Sequence, residues 1–326
     1  MEKKRVLVLG GAGFIGSHLV NSLAESGEYD VIVSADIAEP RFAVEGVEYK
    51  YVDIRQPIAD DVCPGASEIY NLAAVHTTPG YQDWEYFYTN VLGATHCCDY
   101  ARRVGCNQIV FTSSISVYGA SETLKDDSSA LEPDSAYGRS KLCAEQIHAQ
   151  WLNEASATRR LVVARPAVVY GYTERGNFTR LAHAMAKGRF FFPGRKDTVK
   201  ACGYVEDLVR SFRFCLERSE AHLTYNFAHM ERYTSQDICD TITDVAGYKK
   251  VTLVVPMPLM MLGGIAFEVL SKLGIRTPIN RARINKLYTS TNIVPRKLRE
   301  MGFRPRYCLK QSLKRWLEMS DGAQFK

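Results

Sequence analysis

Two stretches of this chain carry residues whose types and spacing can do chemistry together. Gly10-Gly11-Ala12-Gly13-Phe14-Ile15-Gly16 follows directly on the apolar run Val6-Leu7-Val8-Leu9. Gly10, Gly13 and Gly16 stand three apart, which lets the backbone approach a pyrophosphate. The helix read from Phe14 adds unpaired N–H groups and the positive end of its dipole. Far downstream, Tyr137 and Lys141 stand four apart, so a phenol and an ammonium share one helix face. A free phenol titrates near ~10. A close ammonium, together with the charge of an oxidised nicotinamide, would favour phenolate. Lowering the phenol by about three units takes roughly 4 kcal/mol of differential stabilisation. A dinucleotide cradle and an activated phenol point to hydride transfer at a carbon that bears oxygen.

Other residues fall where such a reaction needs them. Asp36 lies 20 residues past Gly16, at the end of the second strand. A carboxylate there accepts hydrogen bonds from ribose hydroxyls and repels a 2′-phosphate, which favours NAD over NADP. The nearby Arg41 would soften that preference. Asp53-Ile54 closes the third strand and is read as an adenine contact. Ser113-Ser114 follow the fifth strand at its carboxyl end, where open α/β sheets hold their ligands. Ser114 is the preferred candidate to bind the reacting oxygen.

The elements that position these groups are read from periodicity. Apolar strands at Val6–Leu9, Val31–Ser34, Tyr49–Val52, Ile69–Asn71, Ile109–Thr112 and Leu161–Ala164 alternate with helical patterns at Phe14–Gly27, Asn90–Arg103 and Tyr137–Glu154. Continuous apolar strands between helices predict an α/β fold, a doubly wound parallel sheet covered on both faces. Residues 1–166 form the dinucleotide-binding (Rossmann) part. Residues 167–326 form a smaller, interleaved substrate-binding part, with some segments returning to the sheet. Thr234-Ser235-Gln236-Asp237 is read as a capping box opening a helix that ends near Gly247.

Composition narrows the class. With 326 residues, 46% of them hydrophobic and 24% charged, the chain can bury a sizeable core. Nine cysteines without CxxC spacing indicate neither a zinc site nor a disulfide framework, and a reducing cytoplasm fits. No metal and no signal peptide are expected. Val251 to Phe267 is the most apolar stretch; prolines and glycines break it, and it is read as core or cleft lining rather than a membrane span. The net charge of +5 is unevenly placed: residues 272–326 hold 14 Lys+Arg against 3 Asp+Glu, or +11, and the rest of the chain carries −6. No nucleic-acid module accompanies that basic end.

The chain resembles the extended short-chain dehydrogenase/reductases, in the NAD-dependent epimerase/dehydratase group. The resemblance rests on Gly10 to Gly16, Asp36, Asp53-Ile54, Asn71-Leu72-Ala73-Ala74, Asn90, Ser113 to Gly119, Tyr137 with Lys141, and Arg165 to Gly171. It implies cofactor contacts at Gly10, Gly13, Phe14, Ile15, Gly16, Asp36, Asp53, Ile54, Leu72, Ala73, Ala74, Asn90 and Val168. Tyr137 would be the general acid/base, and Lys141 would hold the nicotinamide ribose and the phenolate. Dehydratases and decarboxylases of the group place acidic residues just after the catalytic hydroxyl. Here Ile115 and Ser116 stand there, which leaves a 4-epimerase or a simple reductase or dehydrogenase.

Two substrate classes stay open. Gly176-Asn177-Phe178 and the basic carboxyl end favour a nucleoside-diphosphate sugar, with His76, Ser114, Ser116, Asn177, Arg281 and Arg283 as substrate contacts. Arg165-Pro166, and Val168 where many sugar epimerases carry Asn, favour an apolar alcohol of the 3β-hydroxysteroid or dihydroflavonol kind. The resemblance also implies a homodimer paired through Asn90–Arg103 and Tyr137–Glu154, with Tyr86, Phe87, Tyr88, Trp151 and Leu152 as apolar surface.

Overall fold

The computed structural model of the protein describes residues 4–77, 80–263, 285, 287–322 and 324–326. Seven strands form one parallel sheet: β1 (Arg5–Leu9), β2 (Val31–Asp36), β3 (Val47–Tyr51), β4 (Glu68–Asn71), β5 (Gln108–Thr112), β7 (Arg160–Pro166) and β11 (His222–Phe227). Their order is β11-β7-β5-β4-β1-β2-β3, with β4 in the middle and the order of winding reversing between β1 and β4. That reversal is the switch point at which such sheets open a ligand crevice. Short parallel ladders join β6 (Ser121–Lys125) to β13 (Thr291–Ile293), β8 (Val168–Tyr170) to β10 (Cys202–Tyr204), and β9 (Phe192–Pro193) to β12 (Val254–Val255).

Helices α1 (Phe14–Ser26), α2 (Asp83–Val104), α3 (Ala136–Asn153), α4 (Asn177–Ala186), α5 (Val205–Leu216), α6 (Ser235–Ala246), α7 (Arg296–Glu300) and α8 (Leu309–Met319) pack around this frame. Side-chain alternation along a strand explains the layers. Leu7 and Leu9 of β1 join Cys97, Cys98 and Tyr100 of α2 and Trp151 of α3 on one face. Val6 and Val8 join Leu19 and Leu23 of α1 and Leu208 and Phe212 of α5 on the other. A third core gathers Tyr170, Phe178, Tyr204, Trp316 and Phe325 in the carboxyl-terminal part.

The parallel sheet emerges as the periodicity predicts, with differences at element ends. Helix α2 starts at Asp83, about two turns before Asn90, because Gln82 and Glu85 form a reciprocal capping box. The third strand ends at Tyr51, so Asp53 stands beyond it. The Thr234/Asp237 capping box forms as read, and Gly247 ends α6 in the left-handed conformation. Trp151 and Leu152 do not offer a free surface: both are buried against the sheet. Tyr86 is also buried, while Trp84 and Tyr88 are exposed. The nine cysteines are free thiols.

Candidate active site

The glycine turn is locked to three strands. Gly10 has φ +81°, and its N–H donates to the Ala35 carbonyl at 2.8 Å. A Cβ on Gly10 would lie 2.6 Å from the Ala73 nitrogen, and one on Gly16 would lie 2.1 Å from the Gly10 carbonyl oxygen. Only hydrogen fits at either position, so the turn presses on Leu72-Ala73 at the end of β4. Phe14 and Ile15 begin α1, whose N-cap is Gly13; no side chain caps it. The positive helix end therefore faces the crevice unneutralised.

Asp36 ends β2 beside this turn. Its carboxylate accepts from the N–H groups of Ala12 (3.1 Å), Ile37 (2.7 Å) and Ala38 (3.2 Å). A cavity of about 200 Å³ opens there, lined in part by Ala12, Ser34, Asp36, Pro40 and Tyr51. A cradle closed to any Cβ, an uncapped helix and an anchored carboxylate fit a dinucleotide with a free ribose 2′-hydroxyl. Arg41 donates to the Thr173 carbonyl at 2.6 Å, which ties the loop after β2 to the loop after β8. Asp53 forms a two-pronged pair with Arg55, from Nε at 2.8 Å and Nη2 at 2.7 Å. Ile54 is buried in the core below α2.

The second cluster forms where α3 meets the 3-10 turn Ile115–Tyr118. Gly138 allows the approach, since a Cβ there would sit 2.3 Å from the Ser116 carbonyl oxygen. Ser114 caps the turn, accepting from the Ser116 N–H at 3.1 Å, and its hydroxyl donates to Ser116 Oγ at 3.1 Å. The Ser114 hydroxyl stands near enough to the Tyr137 phenol to favour its charged form in part. The Tyr86 ring lies 6.1 Å from that of Tyr137. Lys141 is buried, with its ammonium 4.6 Å from the centre of the Phe111 ring. Ser114, Ser116, Tyr137 and Lys141 thus come together at the carboxyl edge of β5.

The electrostatics of the chain by itself run against the expected phenol activation. Burial pushes the Tyr137 phenol up to about 12, and the Ser114 hydroxyl offsets this only in part. Burial pushes the Lys141 ammonium down to about 7, opposed by the Glu145 carboxylate. In both groups the loss from leaving water outweighs what the neighbouring side chains return. His76 is also held below its ordinary value, by desolvation first, with Lys141 pushing the same way.

Glu145 stands one turn past Lys141 on α3, and sequence reading passed over it. It is buried and gripped by Arg165 of β7, from Nε to Oε1 at 2.9 Å and from Nη2 to Oε2 at 2.7 Å. Arg165 also donates to the Tyr118 hydroxyl at 2.8 Å, which donates to Asn226 Oδ1 at 2.9 Å. Replacing Glu145 by Gln leaves the Arg165 charge uncompensated, a loss of about 3–5 kcal/mol of stability for breaking a buried pair. It also removes the charge that raises the Lys141 pKa. The alkaline limb of kcat/KM, where Lys141 loses its proton, is expected to move to lower pH in Glu145→Gln. Urea melts and a pH–rate profile measure the two effects; an unmoved limb would detach Glu145 from Lys141.

The remaining candidates separate. The Asn90 amide is spent on the chain itself: Oδ1 accepts from Val75 N at 2.9 Å, and Nδ2 donates to Val75 O at 3.1 Å and Ser140 Oγ at 2.9 Å. It clamps the loop after β4 to α2 and α3. Val168 lies in β8 opposite Cys202. Asn177 is exposed and accepts from Arg180 at 2.9 Å. Arg281 and Arg283 lie outside the described residues. Val251 to Phe267 does not form core throughout: Leu253, Leu259 and Leu262 are exposed, and 264–267 lie outside the described residues. Among the described residues, no cluster of His, Cys, Asp or Glu could hold a metal ion, and no helix is long and apolar enough to cross a membrane.

Comparison with known proteins decides the family. Residues 6–228 match the model of the NAD dependent epimerase/dehydratase family. The chain belongs to that family. It is an NAD-dependent enzyme of the extended short-chain dehydrogenase/reductase type, and its cofactor is NAD. A similar curated relative of this family member is the N-acetyl-alpha-D-glucosaminyl-diphospho-ditrans,octacis-undecaprenol 4-epimerase of Escherichia coli O157:H7. It is 29% identical over 315 residues, spanning 96% of this chain and 94% of the relative. MoeE5 in complex with UDP-glucuronic acid and NAD shares the fold with a TM-score of 0.77 at 23% identity, over 98% of this chain and 99% of the other. UDP-glucuronic acid 4-epimerase from Bacillus cereus in complex with NAD gives 0.75 at 18% identity, over 98% and 100%.

Proposed function

We propose that this family member is a 4-epimerase of a diphosphate-linked sugar, working through a 4-keto intermediate, and that it acts as a homodimer. The observation that carries the reading is the gathering of Ser114, Tyr137 and buried Lys141 where α3 meets the turn after β5, without an acidic side chain on that turn at 115 or 116. Bound NAD supplies a hydride acceptor that can return the hydride. Gly10 to Gly16 would hold its pyrophosphate and Asp36 its adenosine ribose, with Leu72-Ala73-Ala74 along its flank. Ser114 positions the C4 hydroxyl of the sugar against Tyr137. The Tyr137 phenolic oxygen takes that proton as the carbon is oxidised and gives it back when the keto-sugar has presented its other face. Lys141 holds positive charge near the phenol, and Glu145 with Arg165 holds Lys141. No net oxidation results.

The sequence favours a nucleoside as the other partner of the diphosphate. The E. coli relative favours a second reading, a polyprenyl diphosphate, because its match spans nearly the whole of both chains. Incubation with UDP-N-acetylglucosamine, UDP-glucose and polyprenyl-diphosphate N-acetylglucosamine in the presence of NAD tests both. C4 inversion without accumulated NADH supports the epimerase. Stoichiometric NADH, or turnover of apolar alcohols alone, would replace it with a dehydrogenase. Light scattering that shows only monomer at micromolar concentration would remove the homodimer.

A further inference from the structure

A set of apolar side chains is exposed to solvent, and its parts are distant in sequence. The β9/β12 ladder is closed by the Phe192 N–H donating to the Leu253 carbonyl at 2.9 Å. Phe191 and Leu253 therefore stand side by side where the ladder begins. The chain then turns helical at 257–263, with the Met260 N–H donating to the Pro256 carbonyl at 3.2 Å. Leu259 and Leu262, three residues apart, share one face of that segment. They are 61% and 65% exposed, and Leu253 is 60% exposed.

The residues that lead into the two strands of the ladder are basic. Lys187 and Arg189 precede β9, and Lys249 and Lys250 precede β12; all four are exposed. The carboxylates here form only loose, solvent-exposed pairs, Asp240 with Lys250 at 3.8 Å and Asp197 with Arg195 at 3.8 Å, which hold their cations weakly against a competing phosphate. Exposed leucines on one helical face, rimmed by lysine and arginine, suit the boundary between headgroups and acyl chains. The leucines reach the acyl region, and the cations meet lipid phosphates.

We propose that this face seats the enzyme on an anionic bilayer, with Leu253, Leu259 and Leu262 in the acyl boundary and Lys249 and Lys250 on headgroup phosphates. This rests on the polyprenyl-diphosphate reading of the substrate, since a sugar carried on such a lipid is presented at the bilayer surface. The occupant is the lipid surface, and its recognition chemistry is apolar burial plus phosphate charge.

Flotation of the full chain with vesicles tests it. Vesicles of phosphatidylethanolamine with phosphatidylglycerol are compared with phosphatidylcholine alone, at low and high salt. The chain is expected to float with the anionic vesicles and to be released as salt rises. Leu259→Ser with Leu262→Ser is expected to lower the bound fraction about tenfold, the loss of two inserted side chains. Lys249→Ser with Lys250→Ser is expected to lower it on anionic vesicles alone, which keeps the test intact if the leucine variant folds poorly. NAD binding stays at the level of the unaltered chain in both variants. The proposal is overturned if the unaltered chain stays out of the vesicle fraction, or if both variants float equally well. It is also overturned if the leucine variant changes the mass in light scattering without any vesicle binding, which would give the face to a second copy. Absence of epimerisation on every sugar, with flotation intact, would instead reject the catalytic reading and leave the lipid surface standing.

Discussion

Tyr137→Phe is expected to bind NAD as the unaltered chain does and to lose about a thousandfold in kcat, within the range for removing a positioned acid/base. The substitution takes away one oxygen. The ring keeps its place 6.1 Å from Tyr86, and the glycine turn is untouched. The lost atom is the phenolic oxygen whose charged form the Ser114 hydroxyl favours. The buried phenol, pushed up to about 12, is a poor base at neutral pH, so the reaction needs a positive charge beside it. Lys141, near 7, sits close to the point where it still carries one. Titration of NAD by protein fluorescence and turnover of the diphosphate sugar read the two halves separately. Rates within about twofold of the unaltered chain would take residue 137 out of the proton transfer.

Gly16→Ala strikes the other half of the site. The added methyl would meet the Gly10 carbonyl oxygen at 2.1 Å and the Gly11 Cα at 2.7 Å, and backbone cannot move aside as a flexible side chain would. Overpacking of this kind costs about 1–3 kcal/mol. Directed at the pyrophosphate turn, that corresponds to about a 10- to 100-fold weaker hold on NAD. Calorimetric titration with NAD measures it. Unchanged affinity would show that the first turn of α1 does not hold the dinucleotide, and the assignment of Gly10, Gly13 and Gly16 would fall with it.

How much of this was legible differs element by element. Val6–Leu9 reads as a buried strand because both of its faces are covered, one by α2 and α3 and the other by α1 and α5. The start of α2 escaped the apolar pattern because its first turns depend on Gln82 and Glu85, whose signal is hydrogen bonding rather than hydrophobicity. That error moved Tyr86 onto a surface, whereas it lies beside Tyr137. Trp151 and Leu152 were read as a pairing face because a helical pattern alone does not say which side meets the sheet. Glu145 had a visible signal, four residues past Lys141. Its partner Arg165 is on another element, and only folding joins them.

What the sequence determined by itself is local: which segments are strand or helix, that glycine must stand in the first turn, and that a phenol and an ammonium share a helix face. Those properties follow from backbone sterics and from the period of side chains along a few turns. Tertiary structure alone decided which way the pKa values move, which carboxylate stands by Lys141, that Asn90 is spent on holding loops, and which leucines stay in water. Each of these depends on what is removed from solvent and on what arrives from a distant segment. Solvent exclusion is set by the whole packed chain, and no window of neighbouring residues contains it.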